Sequence, residues 1–297
     1  MKAKFLEWNL NFGGDKKVNV TSEVKEYVKG FDVIMFTETV DNPSVESLFQ
    51  NNERKYNVFR SMRDEKGWNN QIVVAVAEEF KAKQIYDDIP NVNMDEAPNF
   101  IQIELTIEGG SYQIIGTRIR ISSFLTDEDD YKSRKKQFEN LVKHIKKYEK
   151  VIVLGDFNNG MIKGNSNACY IDMKCIYEKP VRDYKTGKNY KSLLRYYNFH
   201  MMKEILGEQF VLEEVTNEPS SWGLSIYNGQ FSYGTIKNDQ VFSTKDIKIK
   251  EKKYSWDFVR NHEQTYKDML IKNQYRKGNK IDHGFPDHAQ LIVEIEL

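Results

Sequence analysis

The chain has 297 residues, of which 39% are hydrophobic, so it can bury a large core, and we treat 1–297 as one α/β domain. Its 44 Lys and Arg balance its 44 Asp and Glu. This balance excludes an overall electrostatic attraction to nucleic acid or to membranes and leaves any such preference to local patches. No signal peptide or membrane span is predicted, so we expect a soluble cytoplasmic protein. Cys169 and Cys175 lack zinc-ligand spacing and are predicted to be ordinary thiols.

The predicted elements are mainly strands. A half-buried strand over 4–10 precedes a short helix over 21–28, which Thr and Ser residues open, and a long helix is predicted over 127–150 from its apolar spacing. Gly109 and Gly110 indicate a hairpin between two further strands. The remaining strands are predicted, in chain order, over 33–36, 71–77, 100–107, 112–121, 151–154, 209–215, 240–243, 247–249 and 290–296.

Two long polar stretches, about 160–205 and 245–284, are predicted to be insertions in this domain. Between Lys174 and Lys203 the first holds eight basic residues against two acids, Glu178 and Asp183, with tyrosines between them; the basic residues are Lys174, Lys179, Arg182, Lys185, Lys188, Lys191, Arg195 and Lys203. Cations mixed with aromatic rings suit a nucleic-acid groove, and a solvated cover over a sheet edge is the alternative. The second is predicted to form a helical flap beside the site.

Polar side chains follow two of the predicted strands in the first half. Asn9 and Asn11 stand at the end of the first strand, where an amide can face a cleft or simply form a turn. Glu38 follows a wholly apolar strand. A carboxylate there needs a cation to offset its desolvation, and the cation can be a metal ion or the partner in a structural salt bridge.

The strongest local signal is the sequence Gly155-Asp156-Phe157-Asn158, which follows the apolar strand over 151–154. Gly155 permits a close backbone approach, and on an extended segment Asp156 and Asn158 point to the same side. A carboxylate beside an amide can orient and deprotonate a water while a phosphoryl oxygen is held. The alternative is an Asx turn without a catalytic role.

Near the C-terminus, Asp287 and His288 precede the last strand, and Asp239 precedes an earlier one. An acid beside an imidazole can hold a metal or move a proton near neutral pH, and Asp239 can orient the ring of His288. The pair Asp282–His283 has the same composition, but no strand follows it, so we favour Asp287 and His288.

The order and content of these motifs resemble the endonuclease/exonuclease/phosphatase superfamily, the DNase I-like fold. The motifs are Trp8-Asn9, Thr37-Glu38, Gly155-Asp156-Phe157-Asn158, Asp239-Gln240-Val241-Phe242-Ser243 and Pro286-Asp287-His288. The resemblance covers the chain from Trp8 onward. It implies a four-layer α-β-β-α sandwich, of class α/β (α+β), in which two mostly antiparallel sheets pack face to face and the site lies at one edge.

The resemblance also implies roles for the motif residues. Glu38 would be the principal ligand of Mg²⁺, for which Mn²⁺ could substitute, with Asn11 and Asp287 close enough to assist. Asp156 would orient the attacking water. Asn158 and Asn9 would hold phosphate oxygens or neighbouring side chains. His288, held by Asp239, would stabilise the charged phosphorane or assist proton transfer.

The chain departs from the family at Arg118, where relatives often carry His or Tyr. Arginine cannot shuttle a proton near neutral pH, but it can clamp phosphate oxygens with two hydrogen bonds. The sequence therefore predicts a Mg²⁺-dependent phosphodiesterase, a nuclease acting on DNA or RNA. A phosphatase acting on a small or lipid phosphate and a non-catalytic relative that binds nucleic acid are the alternatives. The oligomeric state is left open.

Overall fold

The computed structural model describes most of the chain. The residues described are 1–11, 19–20, 22–39, 43–50, 54–62, 71–107, 110–121, 127–159, 176–182, 186–195, 199–234, 236–268, 283–284 and 286–297. Cys169, Cys175 and Asp282 lie outside them.

The strands are numbered in chain order. They are β1 Lys2–Asn9, β2 Asn19–Val20, β3 Val33–Thr39, β4 Tyr56–Arg60, β5 Gln71–Ala77, β6 Lys81–Tyr86, β7 Asn99–Ile107, β8 Gly110–Arg118, β9 Val151–Asp156, β10 Ile176–Arg182, β11 Asn189–Arg195, β12 Phe210–Leu212, β13 Ser225–Tyr227, β14 Gln230–Ser232, β15 Asp239–Thr244, β16 Lys248–Ser255, β17 His283–Gly284 and β18 Gln290–Glu296. The helices are α1 Pro43–Gln50, α2 Asp127–Ile145, α3 Phe199–Leu206 and α4 Asp257–Arg260, with 3₁₀ turns at Ser22–Val28 and Met94–Glu96.

Two six-stranded sheets form the body of the molecule. The first has the order β16, β18, β1, β3, β5, β4, and the second has the order β12, β15, β9, β8, β7, β6. Each sheet contains one parallel pair, β1 with β3 and β8 with β9, while its other neighbours are antiparallel. The predicted mostly antiparallel sheets are therefore confirmed.

The sheets pack face to face. A Cβ added at Gly116 of β8 would lie 3.0 Å from the Ile72 side chain and 3.1 Å from that of Met35, both in the first sheet. On the far side of the second sheet, Phe138 and Leu141 of α2 share a second core with Val153. Aromatic side chains cover the far side of the first sheet: Phe49 of α1 stacks on Phe36 and Phe258 of α4 packs edge-on against Trp8. Helices thus lie outside both sheets, as the four-layer sandwich requires.

This architecture brings four strand ends together. Parallel neighbours end at the same edge of their sheet, so Asn9 and Thr37 are paired at the ends of β1 and β3, and Arg118 and Asp156 at the ends of β8 and β9. Strands β1 and β9 lie against each other across the sandwich. The four polar strand ends therefore meet at one edge.

Several elements differ from the sequence-based expectations. The segment predicted as the second insertion, 245–284, contains β16, an edge strand of the first sheet. The strand predicted over 247–249 is its beginning, and the predicted helical flap is wrong over the rest of β16. The segment predicted as the first insertion contains the hairpin of β10 and β11 and the helix α3. Among the residues described, no helix is long and apolar enough to cross a membrane.

Candidate active site

Three polar pairs join the two sheets at this edge. Asn9 Nδ2 of the first sheet donates to Asp156 Oδ2 of the second at 3.0 Å. His288 Nδ1, just before β18, lies 2.9 Å from Asp239 Oδ2 at the start of β15. The pairs are completed by Arg118 Nη2, which donates to Glu38 Oε1. Residues far apart in the sequence thus form one cluster.

The backbone after β9 places Asp156 and Asn158. A Cβ at Gly155, whose φ is +158°, would lie 1.8 Å from the carbonyl oxygen of Thr117, so only glycine allows β8 to pass this close. Asn158 has a φ of +45°, so the segment is not extended there as predicted. Its N–H donates to Asp156 Oδ1 at 2.9 Å and its Nδ2 to Asp156 Oδ2 at 3.0 Å. The Asx turn offered as the alternative is present, and it orients the carboxylate.

Burial leaves Asp156 poorly solvated. Its residue is fully buried, and this burial, together with the charges of Asp239 and Glu38, raises its pKa to about 6 against the opposing charges of His288 and Arg118. Its two oxygens accept three hydrogen bonds from amide groups, so the carboxylate has a fixed orientation. A carboxylate with a pKa near neutrality can exchange a proton with water under physiological conditions.

Glu38 lies in a distorted part of β3. The pairing of β3 with β5 shifts register between Phe36 and Thr39, and Glu38 has a φ of +49°. Such a left-handed conformation costs a non-glycine residue roughly 1–3 kcal/mol, and bulges of this kind re-aim side chains next to active sites. Burial alone would raise the pKa of Glu38, but the charges of Arg118 and His288 and hydrogen bonds from Arg118 and Asn9 lower it.

The imidazole of His288 is charged at neutral pH. Desolvation would lower its pKa, but hydrogen bonding to Asp239 and the charges of Asp239, Asp287 and Asp156 raise it to about 10. Ser221 helps to position Asp239: its Oγ accepts hydrogen bonds from the backbone N–H groups of Asn238 and Asp239, at 2.9 and 3.0 Å. The Trp8 indole N–H donates to the carbonyl of His288 at 3.0 Å and ties that residue to β1.

Oxygen ligands for a hard cation are present beside this pair. Burial and the charge of Glu38 raise the pKa of Asp287 against the effect of His288, so two carboxylates repel each other here. Asn11, with a φ of +53°, is held by Asn9 Oδ1, which accepts its N–H at 2.9 Å. The described residues contain no cluster of three or more His, Cys, Asp or Glu arranged as a metal site. Two carboxylates and an amide fit Mg²⁺ or Mn²⁺, since Mg²⁺ keeps several waters.

Arg118 lies between two of the acids at this edge, Glu38 and Asp156. Its Nη2 contacts Glu38, and its Nε is 3.5 Å from Asp156 Oδ2. That Nε is buried and has no hydrogen-bond partner among the residues described. Glu38 and Asp156 raise the pKa of Arg118 despite its desolvation, so the guanidinium remains a cation with one donor to offer an anion.

Three residues of this edge were missed by the sequence analysis. Glu7 is fully buried on the Asn9 face of β1, and burial with the charges of Asp239 and Asp156 raises its pKa well above 4.5. Trp222 is 37% exposed, its side chain donates a hydrogen bond to Asp287, and its ring centroid is 6.3 Å from that of His288. Ser221 is the third. Because side chains alternate along a strand, Glu7 is predicted to lie on the same face of β1 as Asn9. The positions of Trp222 and Ser221 at this edge depend on tertiary contacts, which the sequence pattern does not show.

The sequence matches no family model and no curated protein. Solved structures do match. TDP2 of D. rerio, complexed with a single-stranded DNA product, is 13% identical with a TM-score of 0.56, over 100% of this chain and 99% of that one. The endonuclease domain of TRAS1, a telomere-specific non-LTR retrotransposon, is 13% identical with a TM-score of 0.51, over 99% of each chain.

An endonuclease/exonuclease/phosphatase from Bacteroides vulgatus is 10% identical with a TM-score of 0.53, over 100% of this chain and 99% of that one. At such identities the likeness concerns the fold alone. The chain therefore has the DNase I-like fold of the endonuclease/exonuclease/phosphatase structures.

Proposed function

We propose that this protein is a divalent-metal-dependent phosphodiesterase that hydrolyses nucleic acid. The observation that carries the proposal is the set of three polar pairs across the sheets, Asn9–Asp156, Asp239–His288 and Glu38–Arg118. It joins a carboxylate with a pKa near neutrality, a charged imidazole and a guanidinium at one edge. Water activation and stabilisation of a phosphorane need these groups together.

Each group has a distinct part in the proposed hydrolysis. Asp156, held by Asn9 and Asn158, orients the attacking water and accepts its proton. The phosphorane carries extra negative charge, which the charged His288 and the guanidinium of Arg118 stabilise by preorganised electrostatics.

Glu38, Asp287 and Asn11 are the residues that would hold Mg²⁺, or Mn²⁺ in its place. Such a cation supplies Lewis-acid stabilisation of the charge on the phosphoryl oxygens. A cation held there would offset the mutual repulsion of Glu38 and Asp287.

Local charge favours nucleic acid as the substrate. The chain is neutral overall, so a polyanion must be attracted by a patch. The segment 174–203 combines eight basic residues with interleaved aromatic residues, and its described part contains the β10–β11 hairpin, with β11 lying against α2. Among the structures with the same fold, that of TDP2 holds a single-stranded DNA product.

A non-catalytic role in binding nucleic acid is the second candidate. It is favoured by the ion pair of Arg118 with Glu38, which occupies the carboxylate proposed as the principal metal ligand. In that reading the guanidinium replaces the metal ion, and the edge binds phosphate without cleaving it.

A hydrolysis screen separates these functions. The purified protein is incubated with single- and double-stranded DNA, RNA, a small model diester and a phosphomonoester, with Mg²⁺ or with EDTA. We expect Mg²⁺-dependent cleavage of nucleic acid and of the small diester. Preference for the monoester would favour the phosphatase, and binding of nucleic acid without cleavage of any substrate would favour the non-catalytic role.

A further inference from the structure

A pocket lies beside the three cross-sheet pairs. It encloses about 340 Å³ of space, part of it open to solvent, and its lining includes Met62, Asp88, Met94, Asn99, Phe100 and Arg120. Met62 follows β4 of the first sheet, and Asn99 opens β7 of the second. The Met62 N–H donates to the carbonyl of Asp87 at 3.2 Å and joins the two sheets there. The pocket thus continues the polar edge toward β4 and β6.

One residue of the pocket lining, Asn99, lies directly beside Arg118. Asn99 is the strand partner of Arg118 in the antiparallel β7–β8 ladder, and its carbonyl accepts the Thr117 hydroxyl at 3.1 Å. Partners in such a ladder lie about 4.5–5.5 Å apart and project from the same face. The Asn99 side chain therefore lies on the face from which Arg118 reaches Glu38 and Asp156. A nucleotide whose phosphate is held by Arg118 would have its neighbour at the pocket.

The lining combines exposed apolar groups with one unused acceptor. Met62 and Met94 of the lining are 45% and 36% exposed. Few other large hydrophobic side chains of the described chain are this exposed, so their concentration here indicates a binding surface. Asn99 Oδ1 is buried and has no hydrogen-bond partner among the residues described. An unpaired buried acceptor costs about 1–3 kcal/mol, which a ligand N–H would recover.

The charges of the pocket disfavour an anion. Asp87 and Asp88 outnumber Arg120, whose Nη2 already donates to the carbonyl of Ala97. Methionine sulfur makes favourable contacts with aromatic rings and adapts to their shape. A planar, neutral group that has an N–H donor and is attached to a phosphodiester chain fits all of these features, and a nucleobase is such a group.

We propose that this pocket binds the base of a nucleotide next to the phosphate held at Arg118, between the methionine side chains and with a base N–H on Asn99 Oδ1. The inference rests on the proposed function, because it needs a nucleic-acid substrate. It adds a specificity-determining site formed by Met62, Met94 and Asn99, distinct from the basic hairpin.

The test measures binding and cleavage separately. Trinucleotides are compared with analogues that lack one base, at each position in turn, using Ca²⁺ for binding and Mg²⁺ for cleavage. In the wild type, removal of the base at one position is expected to weaken binding about 10-fold, whereas removal at the other positions has less effect. Met62→Ala combined with Met94→Ala should abolish that difference, and Val211→Ala, an exposed apolar residue on β12, should preserve it.

The two proposals fail in different ways. A double variant that discriminates as strongly as the wild type, or a wild type that binds all analogues equally, would overturn the base pocket even if cleavage proceeds. The opposite result is base-dependent binding by the wild type that is lost in the double variant, with no cleavage of any diester by either protein. It would support the base pocket and overturn the proposed hydrolase activity. Hydrolysis of a small model diester by the double variant should remain at the wild-type rate, because these residues do not contact the reacting groups.

Discussion

Two buried histidines of this chain have opposite electrostatics. His144 of α2 lies against the outer face of the second sheet, where its Nε2 is 2.8 Å from Gln102 Oε1 and the rings of Tyr86 and Phe100 pack edge-on against it. Burial and the charge of Lys147 lower its pKa to about 4. His288 is also buried, yet the charge of Asp239, a hydrogen bond to it and the other nearby carboxylates raise the pKa of His288 to about 10.

The contrast shows that burial alone does not mark a functional histidine. Desolvation acts in the same direction on both rings. The difference comes from partners: a neutral amide satisfies His144, whereas His288 faces carboxylates contributed by separate strands. Only the second environment holds a positive charge in place at neutral pH, and such a charge is what an anionic transition state requires.

The largest expected effect is on turnover. His288→Gln removes the charged ring and should lower kcat on a nucleic-acid substrate about 10²- to 10³-fold, the range found when a single electrostatic stabiliser is lost. His144→Gln is the matched control, because it changes a buried histidine outside the cluster and should leave kcat near the wild-type value. Equal losses in the two variants would contradict the distinction between the two regions. Circular dichroism and thermal melts show whether each variant is folded.

Arg118→Lys tests the clamp next to His288. Lysine keeps the charge but lacks the planar fork and the Nε donor, so we expect kcat/KM to fall about 10-fold. Arg260→Lys, at the exposed ion pair with Glu218, serves as the control. Unchanged steady-state kinetics in Arg118→Lys would make Arg118 purely structural.

The cause of the high pKa of His288 can be tested in the metal-free protein. Asp239→Asn removes the partner nearest to the ring, and the pKa of His288 should fall toward its ordinary value of 6.5. The pKa of His144 should stay at about 4. Histidine NMR titrations of the wild type and the variant provide both values. A His288 pKa that stays at about 10 would show that other groups hold the charge.

A smaller effect is expected on stability, with opposite pH dependence for the two rings. The pKa of His288 rises from 6.5 to about 10 on folding, so its contribution is complete below pH 6.5 and is lost as the pH rises toward 10. The pKa of His144 falls to about 4, so its charging in the unfolded chain reduces stability as the pH falls from 6.5 toward 4.

Urea unfolding in EDTA across this pH range measures both slopes. His288→Gln should flatten the alkaline limb, and His144→Gln should flatten the acidic limb. If His288→Gln flattened the acidic limb and His144→Gln the alkaline limb, the environments assigned to the two histidines would be refuted.

Strands could be predicted from the sequence where a local pattern, such as an apolar run followed by turn residues, defines them. The apolar run of β9 leads to Gly155, where only glycine allows β8 to pass this close, so β9 and its polar end were predictable. Strand β16 was predicted only over 247–249 because the rest of its sequence, KIKEKKYS, is charged, which is how an exposed edge strand avoids aggregation. Strands β4 and β6 were missed for a related reason, since both lie at sheet edges and are partly exposed.

The candidate site was readable only in part. The motif residues were found one by one, but their mutual pairing depends on register. The β-bulge that turns Glu38 toward Arg118 depends on pairing with β5, which no local pattern reveals. Alternation places Glu7 on the same face of β1 as Asn9, but it does not show that this face is buried against the second sheet.

The central claim is that Glu38 belongs to a catalytic metal site. The most direct measurement is Mg²⁺-dependent cleavage of a nucleic-acid substrate by Glu38→Gln, with Glu294→Gln on the exposed part of β18 as the control. Removing a ligand charge weakens metal binding, so Glu38→Gln should bind Mg²⁺ more weakly in calorimetry and lose turnover while staying folded. Glu294→Gln should match the wild type in both. Unchanged Mg²⁺-dependent cleavage by Glu38→Gln would contradict the account.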